Sequence, residues 1–265
     1  MNHILSKTFF VIVTISILIT SCGKKKDATP SETCYQQSEW QNGIRGDSFV
    51  YNSNNQLITI FEYDSTGKEA SIADIAYNNS GTIAQFSIAY SADSSESMKN
   101  YYNSSGQLAY ELVYSTVGTK TIKTDSIVYQ YTGNNIITEI DYSVDSCSTC
   151  ISFTSVYTYD ANGNVLTEKD TYTGGSDMYT FTYDTEKIPY GTLVTNAYTS
   201  TGDGIDMAYL NGKNNLTSMV YTVNGAAQPG NFTTSYTYNN NGYPIGTADN
   251  YSGQIYSSSY NYICK

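Results

Sequence analysis

The 265-residue chain has one histidine, His3, within its first few residues. The rest therefore lacks the usual general base of serine and cysteine hydrolases, the commonest zinc ligand and the side chain that titrates near neutral pH. Ser-His-Asp chemistry is excluded. Basic residues are also scarce, 13 Lys and Arg against 24 Asp and Glu. That balance does not supply the basic patches on which phosphate-backbone recognition rests, so nucleic acid is not an expected partner. Proline is rare, 4 in all, and no helical period is evident after residue 30, which leaves strands as the element to look for.

Tyrosine is abundant: 28 of them, with 20 glycines and 40% hydrophobic content, a composition that suits strands and is too apolar for a disordered chain. The tyrosines are ordered. A Tyr is followed four residues later by Gly or Asn and six later by an aliphatic residue in Tyr51/Asn55/Leu57, Tyr77/Gly81/Ile83, Tyr102/Gly106/Leu108, Tyr131/Asn135/Ile137 and Tyr159/Gly163/Val165. Looser copies start at Tyr183, Tyr209 and Tyr238. A fixed period marks one structural unit that is copied and stacked.

In Tyr159-Asp160-Ala161-Asn162-Gly163-Asn164-Val165, a type I turn followed by a left-handed residue closes a hairpin with a G1 bulge. Gly163 takes the positive φ, and Asn in other copies is the next most tolerant residue. This register sets Tyr159 across from Val165, a pairing worth roughly 0.2–1 kcal/mol. Eight such hairpins imply about sixteen strands, more than a twisted open sheet reaches without curling or closing. The expected fold is all-β, a repetitive antiparallel hairpin meander forming either a coiled, superhelical sheet or a closed, barrel-like ring. Around Tyr77, alternation predicts Ala73, Ile75, Tyr77 and Ile83 on one face and Ile72, Ala76, Phe86 and Ile88 on the other.

A second Tyr ends each return strand, at Tyr90, Tyr114, Tyr142, Tyr172, Tyr198, Tyr221 and Tyr251, each followed by Ser or Thr. Between these and the next unit, residues 91–97, 115–120, 143–150, 173–177, 199–206 and 222–231 read as loops of varied length. One rim is thus expected to carry uniform tight turns and the other dissimilar loops, the better place for recognition. Tyr172, Tyr198, Tyr221 and Tyr251 are the candidate binding residues there.

Lys7, the apolar run 9–19 and Ile19-Thr20-Ser21-Cys22 follow the order of a secretory signal. The run is shorter than the ~20 residues of a spanning helix. The segment resembles the lipobox of bacterial lipoproteins. That resemblance implies cleavage before Cys22, a diacylglyceryl thioether on its sulfur and an acyl chain such as palmitate on its amine, which together hold a protein stably at a bilayer. The expected organisation is a signal peptide (1–21), a lipid-anchored linker (22–33) bearing Lys24, Lys25 and Lys26, and one hairpin-repeat domain (34–265). Without the signal the net charge is −12, since only Lys7 is lost from the charged side chains.

Cys34, Cys147, Cys150 and Cys264 remain in a chain bound for an oxidising compartment. Three pairings are possible, and position favours Cys34 with Cys264 and Cys147 with Cys150. The former brings the first and last parts of the fold together. Cys147-Ser148-Thr149-Cys150 has redox-site spacing but sits in a Ser-rich loop rather than at a helix N-terminus, so a local staple is expected. One C-x-x-C without histidine does not complete a zinc site. Residues 160–164 resemble the first half of a calcium loop but lack its distal Glu and helical flanks. No metal and no cofactor are expected. Of the carboxylate pairs that glycoside cleavage would need, Glu168/Asp170 and Asp203/Asp206 stand closest. The former reads as a solvated strand edge, the latter as a polar loop.

Tyr159-Asp160-x-x-Gly163, Tyr63-Asp64-x-x-Gly67 and Tyr238-Asn239-x-x-Gly242 resemble the YD repeats of Rhs-type proteins, over most of residues 49–262. In that family the repeats imply a coiled β-sheet wall around a toxin cargo, and no toxin domain follows Tyr262. The lipobox, Tyr-rich hairpins and terminal Cys together look similar to uncharacterised Gram-negative envelope lipoproteins with domains of unknown function. The functional expectation is a non-enzymatic, lipid-anchored protein of the cell envelope, at the outer membrane, whose scaffold binds a glycan, peptide or envelope-protein partner. The alternative is a carboxylate-dependent polysaccharide hydrolase or lyase. A membrane-embedded barrel is disfavoured because Leu166-Thr167-Glu168-Lys169-Asp170 puts charge on both faces.

Overall fold

The computed structural model describes residues 32–143, 151–188 and 212–265. Among these the regular elements are all strands: β1 (Cys34–Gln41), β2 (Ile44–Tyr51), β3 (Leu57–Tyr63), β4 (Glu69–Tyr77), β5 (Ile83–Ser91), β6 (Ser94–Tyr102), β7 (Leu108–Val117), β8 (Lys120–Thr132), β9 (Asn135–Ser143), β10 (Ile151–Tyr159), β11 (Val165–Tyr172), β12 (Gly175–Tyr183), β13 (Leu216–Val223), β14 (Ala226–Ala227), β15 (Phe232–Tyr238), β16 (Pro244–Tyr251) and β17 (Gln254–Cys264). Successive strands pair antiparallel, and β17 returns to β1. β14 and β15 both lie against β13 and share one place, so seventeen segments make a wall of sixteen. Of the coiled sheet and the closed ring, the chain adopts the ring, which leaves no sheet edge open.

The repeat forms the hairpins it predicts. Tyr51 lies across from Leu57, Tyr77 from Ile83, Tyr102 from Leu108 and Tyr159 from Val165, each beside a bulge. Asn55 and Gly163 have φ of 61° and 90°. The Asn or Asp that follows Tyr in every copy but those at Tyr131 and Tyr209 has a task that the spacing alone does not reveal. Asn52 Oδ1 accepts the amides of Asn54 and Gln56 at 2.9 and 3.0 Å, and Asp160 Oδ1 those of Asn162 and Asn164 at 2.8 and 2.9 Å. The side chain thus satisfies donors that the bend takes out of the ladder.

Tyrosine also ties one hairpin to the one before. Tyr77 donates its hydroxyl to the Leu57 carbonyl at 2.7 Å, Tyr102 to Ile83 at 2.8 Å and Tyr51 to Gln36 at 2.8 Å. Tyr236 and Tyr262 do the same to Leu216 and Pro244, both at 2.7 Å. The acceptors at residues 57, 83, 216 and 244 open their strands beside the bulges, where the ladder is interrupted.

Three expectations are corrected. The Tyr131 copy is one residue shorter: Tyr131 faces Ile136, and Gly133 rather than Asn135 takes the positive φ, at 62°. The bulge after Ile83 inserts Ala84 and reverses the alternation, so Phe86 and Ile88 face inward with Ala73 and Ile75 rather than away from them. Apart from the five-residue turn at 64–68 between β3 and β4, the second rim is not made of dissimilar loops where it is described. β5–β6, β7–β8, β11–β12, β13–β14 and β16–β17 each run on to a two-residue turn, as does β1–β2. Asn42-Gly43 and Asn224-Gly225 have positive φ at both positions, as the twist of a tight hairpin requires. Residues 144–150 and 189–211, including the copy at Tyr209, lie outside the described residues.

Cys34 and Cys264 stand directly across from one another on β1 and β17 and are bonded. The bridge closes a span of 230 residues and joins the two strands that complete the ring. On chain entropy alone such a link stabilises by about 5 kcal/mol.

Candidate functional site: an acidic, tyrosine-lined mouth

The interior is graded from one end to the other. At the end carrying the disulfide and the Tyr-Asx turns other than that at Tyr63-Asp64, inward Leu57, Leu108, Val165 and Leu216 are at most 2% exposed. Phe86 and Phe181 behind them are each 1% exposed. Each such side chain stabilises by about 1.5–3 kcal/mol.

A belt of alternating carboxyl and tyrosine follows. Glu111 on β7, Tyr129 on β8, Glu139 on β9, Tyr157 on β10, Glu168 on β11 and Tyr179 on β12 all point inward and are buried. Tyr129 donates to Glu111 Oε2 at 2.7 Å and Tyr157 to Glu139 Oε2 at 3.1 Å. Burial first, and then neighbouring carboxylates, pushes Glu168 up to about 10 and Glu139 well above the usual range. Glu168 is therefore a neutral acid at neutral pH, able to donate its proton in a hydrogen bond.

Beyond the belt, the inward face opens into a mouth at the two-residue-turn end. Glu39, Asp47, Glu62, Glu96, Asp125, Asp141, Asp170, Asp177 and Asp249 all point into it by their register with inward neighbours. Among the described residues the basic side chains near them are only Lys120, which shares the inward register with Ser115 and Val117 at the rim, and Lys68 in the β3–β4 turn. Arg45, Lys99, Lys123 and Lys169 point outward. Arg45 lies over Trp40 and Tyr63 instead, at 5.7 and 5.3 Å from their ring centres. Burial, then Asp125, lifts Asp141 to about 6.

The expected site residues are distributed unevenly. Tyr172 and Tyr221 converge: both donate to Asp177, at 2.9 Å to Oδ1 and 3.1 Å to Oδ2, and Tyr221 stacks on Tyr179 at 4.8 Å. Tyr251 is at the same end against Phe232 and Tyr256, at 5.0 and 5.8 Å. Tyr198 lies outside the described residues, as do Cys22, Cys147, Cys150, Asp203 and Asp206. Glu168 and Asp170 are not a solvated strand edge, being 3% and 7% exposed, because β11 turns that face inward and Lys169 outward. Asp160 already accepts three hydrogen bonds within its own turn, which is what its calcium-like letters serve. The acidic mouth itself was missed. Its signal was present in Glu139-x-Asp141 and Glu168-x-Asp170, two acids on one strand face in a chain with few lysines to balance them.

No protein-family model matches the chain, and no curated protein matches it. Similarity is found in solved structures. The chain resembles a porin-like protein from Bacteroides uniformis with a TM-score of 0.52 and 11% identity, over 82% of this chain and 90% of that one. A porin-like protein from Bacteroides vulgatus aligns with a TM-score of 0.49 and 15% identity, over 87% and 99%. The first likeness places the chain among closed antiparallel barrels of porin-like fold. The outward face of β10–β13 is mixed, with Thr154, Thr158, Thr167, Lys169, Thr180, Thr182, Ser218 and Thr222 interspersed with exposed Val156, Met178 and Val220.

Proposed function

We propose that the chain is a non-enzymatic, lipid-anchored protein of the Gram-negative cell envelope, held at the outer membrane through Cys22, whose barrel binds a positively charged segment of a peptide or envelope-protein partner at its mouth. The observation that carries this reading is the inward wall, where carboxylates stand on most strands and, among the described residues, Lys120 at the rim is the one basic side chain of a strand that shares their face. Such a cup repels anionic ligands and concentrates cationic ones. The buried apolar end favours a receptacle over a conducting pore.

A glycan is the second reading, favoured by one feature. Tyr172, Asp177 and Tyr221 combine aromatic faces with a carboxylate already accepting hydroxyls, an arrangement that suits a sugar ring.

Titration calorimetry on the full chain carrying Cys22→Ser separates the readings. Oligo-lysine is expected to bind in the micromolar range and to weaken steeply between 50 and 500 mM salt, on the order expected for screened charge. Asp170→Asn with Asp177→Asn weakens it at least tenfold, while Asp74→Asn on the outer wall does not. Binding of neutral oligosaccharides with none of oligo-lysine would replace the first reading with the second. Retention of radiolabelled palmitate by the wild-type chain and its loss in Cys22→Ser tests the anchor.

A further inference from the structure

The seam where the first and last strands meet holds a second feature. Glu39 on β1, Asp47 on β2 and Glu62 on β3 stand in direct register, three like charges across three adjacent strands. Strands are spaced at roughly 5 Å, so the carboxyls form a straight ladder rather than a cage. Like charges placed directly opposite are unfavourable unless something lies between them. Their existing partners are neutral: Gln41 Nε2 donates to Glu39 at 3.3 Å, and Ser71 donates to Glu62. Burial, then Glu39 and Glu62, pushes Asp47 up to about 7, which reflects the same shortage of positive charge.

Gln36 supplies an independent observation. It is the inward residue preceding Glu39 on β1, one step deeper than the ladder, and is only 1% exposed. Neither its Nε2 nor its Oε1 has a hydrogen-bond partner. Tyr262 stands across from it, and the Tyr51 hydroxyl takes its main-chain carbonyl, leaving the side-chain amide unused. A buried amide with both ends idle is unfavourable unless a ligand supplies its partners.

We propose that Gln36, Glu39, Asp47 and Glu62 form a binding site for a linear polyamine, laid across β1–β3 with its ammonium groups on the carboxylates and its end on the Gln36 amide. The proposal rests on the cationic-ligand reading and makes it specific. Among the described residues no three acidic, histidine or cysteine side chains converge closely enough to hold a metal ion, which sets a chain of charges above a single one. Amines separated by three or four methylenes match the interval between neighbouring strands.

The test is calorimetry with spermidine, butylamine and calcium on the full chain carrying Cys22→Ser, at low salt. Spermidine is expected to bind one per chain, at least tenfold tighter than either control. Asp47→Asn weakens spermidine at least tenfold while raising the melting temperature of the unliganded protein, which also shows that the variant folds. Gln36→Leu weakens it several-fold. Unchanged spermidine affinity in Asp47→Asn, or calcium binding as tightly as spermidine, overturns the proposal. Oligo-lysine binding that persists without spermidine binding removes this site alone, whereas loss of both removes the cationic-ligand reading with it.

Discussion

The two ends of the barrel are built from the same hairpin yet differ in what their interiors do. At the disulfide end, inward positions are Leu, Ile, Val and Phe, nearly all hidden from water. At the mouth, the same strands turn Glu, Asp and Tyr inward. One end therefore buries apolar surface that holds the ring together, and the other gathers carboxyl groups whose burial opposes their ionisation. Folding alone would select apolar residues at both ends, because a buried carboxyl contributes less than a well-packed aliphatic side chain. The asymmetry teaches that the mouth serves something other than the fold.

The sharpest way to break this comparison is to damage each end and measure unfolding by urea. Phe86→Ala, removing a side chain 1% exposed, is expected to cost about 3–5 kcal/mol. A mouth carboxylate replaced by its amide, as in Asp170→Asn, is expected to be neutral or stabilising. Equal losses at both ends would show the acids to be structural.

Acidity distinguishes the ends a second way. Asp141, Asp47 and Glu168 have folded values raised to about 6, 7 and 10, and Glu39, Glu139 and Asp249 are raised as well, each with burial as the first cause. A raised acid binds its proton more tightly folded than unfolded. Its contribution is complete below the ordinary carboxylate range near pH 4 and is lost as pH rises through the folded value. The turn carboxylates Asp64 and Asp160 are held low by hydrogen bonds and act in the opposite sense, weakening the fold as pH falls through their lowered values. Melting temperature is therefore expected to be highest near pH 4–5 and to drop by about 5–10 °C by pH 8, a loss of order 2–4 kcal/mol. A profile that rises from pH 5 to pH 8 would contradict it.

How much of this was legible follows from which forces act locally. Tyr159 across from Val165 and positive φ at Gly163 were readable because turn chemistry depends on a few adjacent residues. Ring closure was foreshadowed by Cys34 and Cys264 but not decided, since it depends on accumulated twist over sixteen strands. The inward sense of Phe86 was lost to the one-residue bulge at Ala84, and the burial of Glu168 to the same difficulty, because alternation reports that a strand has two faces without saying which is inside. Residues 91–97 and 173–177 read as loops because Ser, Thr and Asp suit turns, yet in the closed wall most of them continue the ladder. Tyr172 and Tyr221 were picked out for their place on a rim, and Asp177, which joins them, was not.

The smallest expected effect sharpens the comparison most finely, because it separates tyrosine as an adhesive from tyrosine as a ligand group. At the disulfide end the Tyr77 hydroxyl goes to the Leu57 carbonyl at 2.7 Å, bridging consecutive hairpins. Tyr77→Phe keeps the ring facing Ile83 and removes only that bond, so it should cost about 1 kcal/mol. It should leave oligo-lysine affinity untouched. Tyr221→Phe at the mouth removes a hydroxyl that holds Asp177 rather than the backbone, and should alter ligand affinity with little change in urea midpoint. If the two variants instead behave alike, losing stability and keeping affinity, the mouth tyrosines are doing the same work as those at the closed end and the ligand must be sought elsewhere.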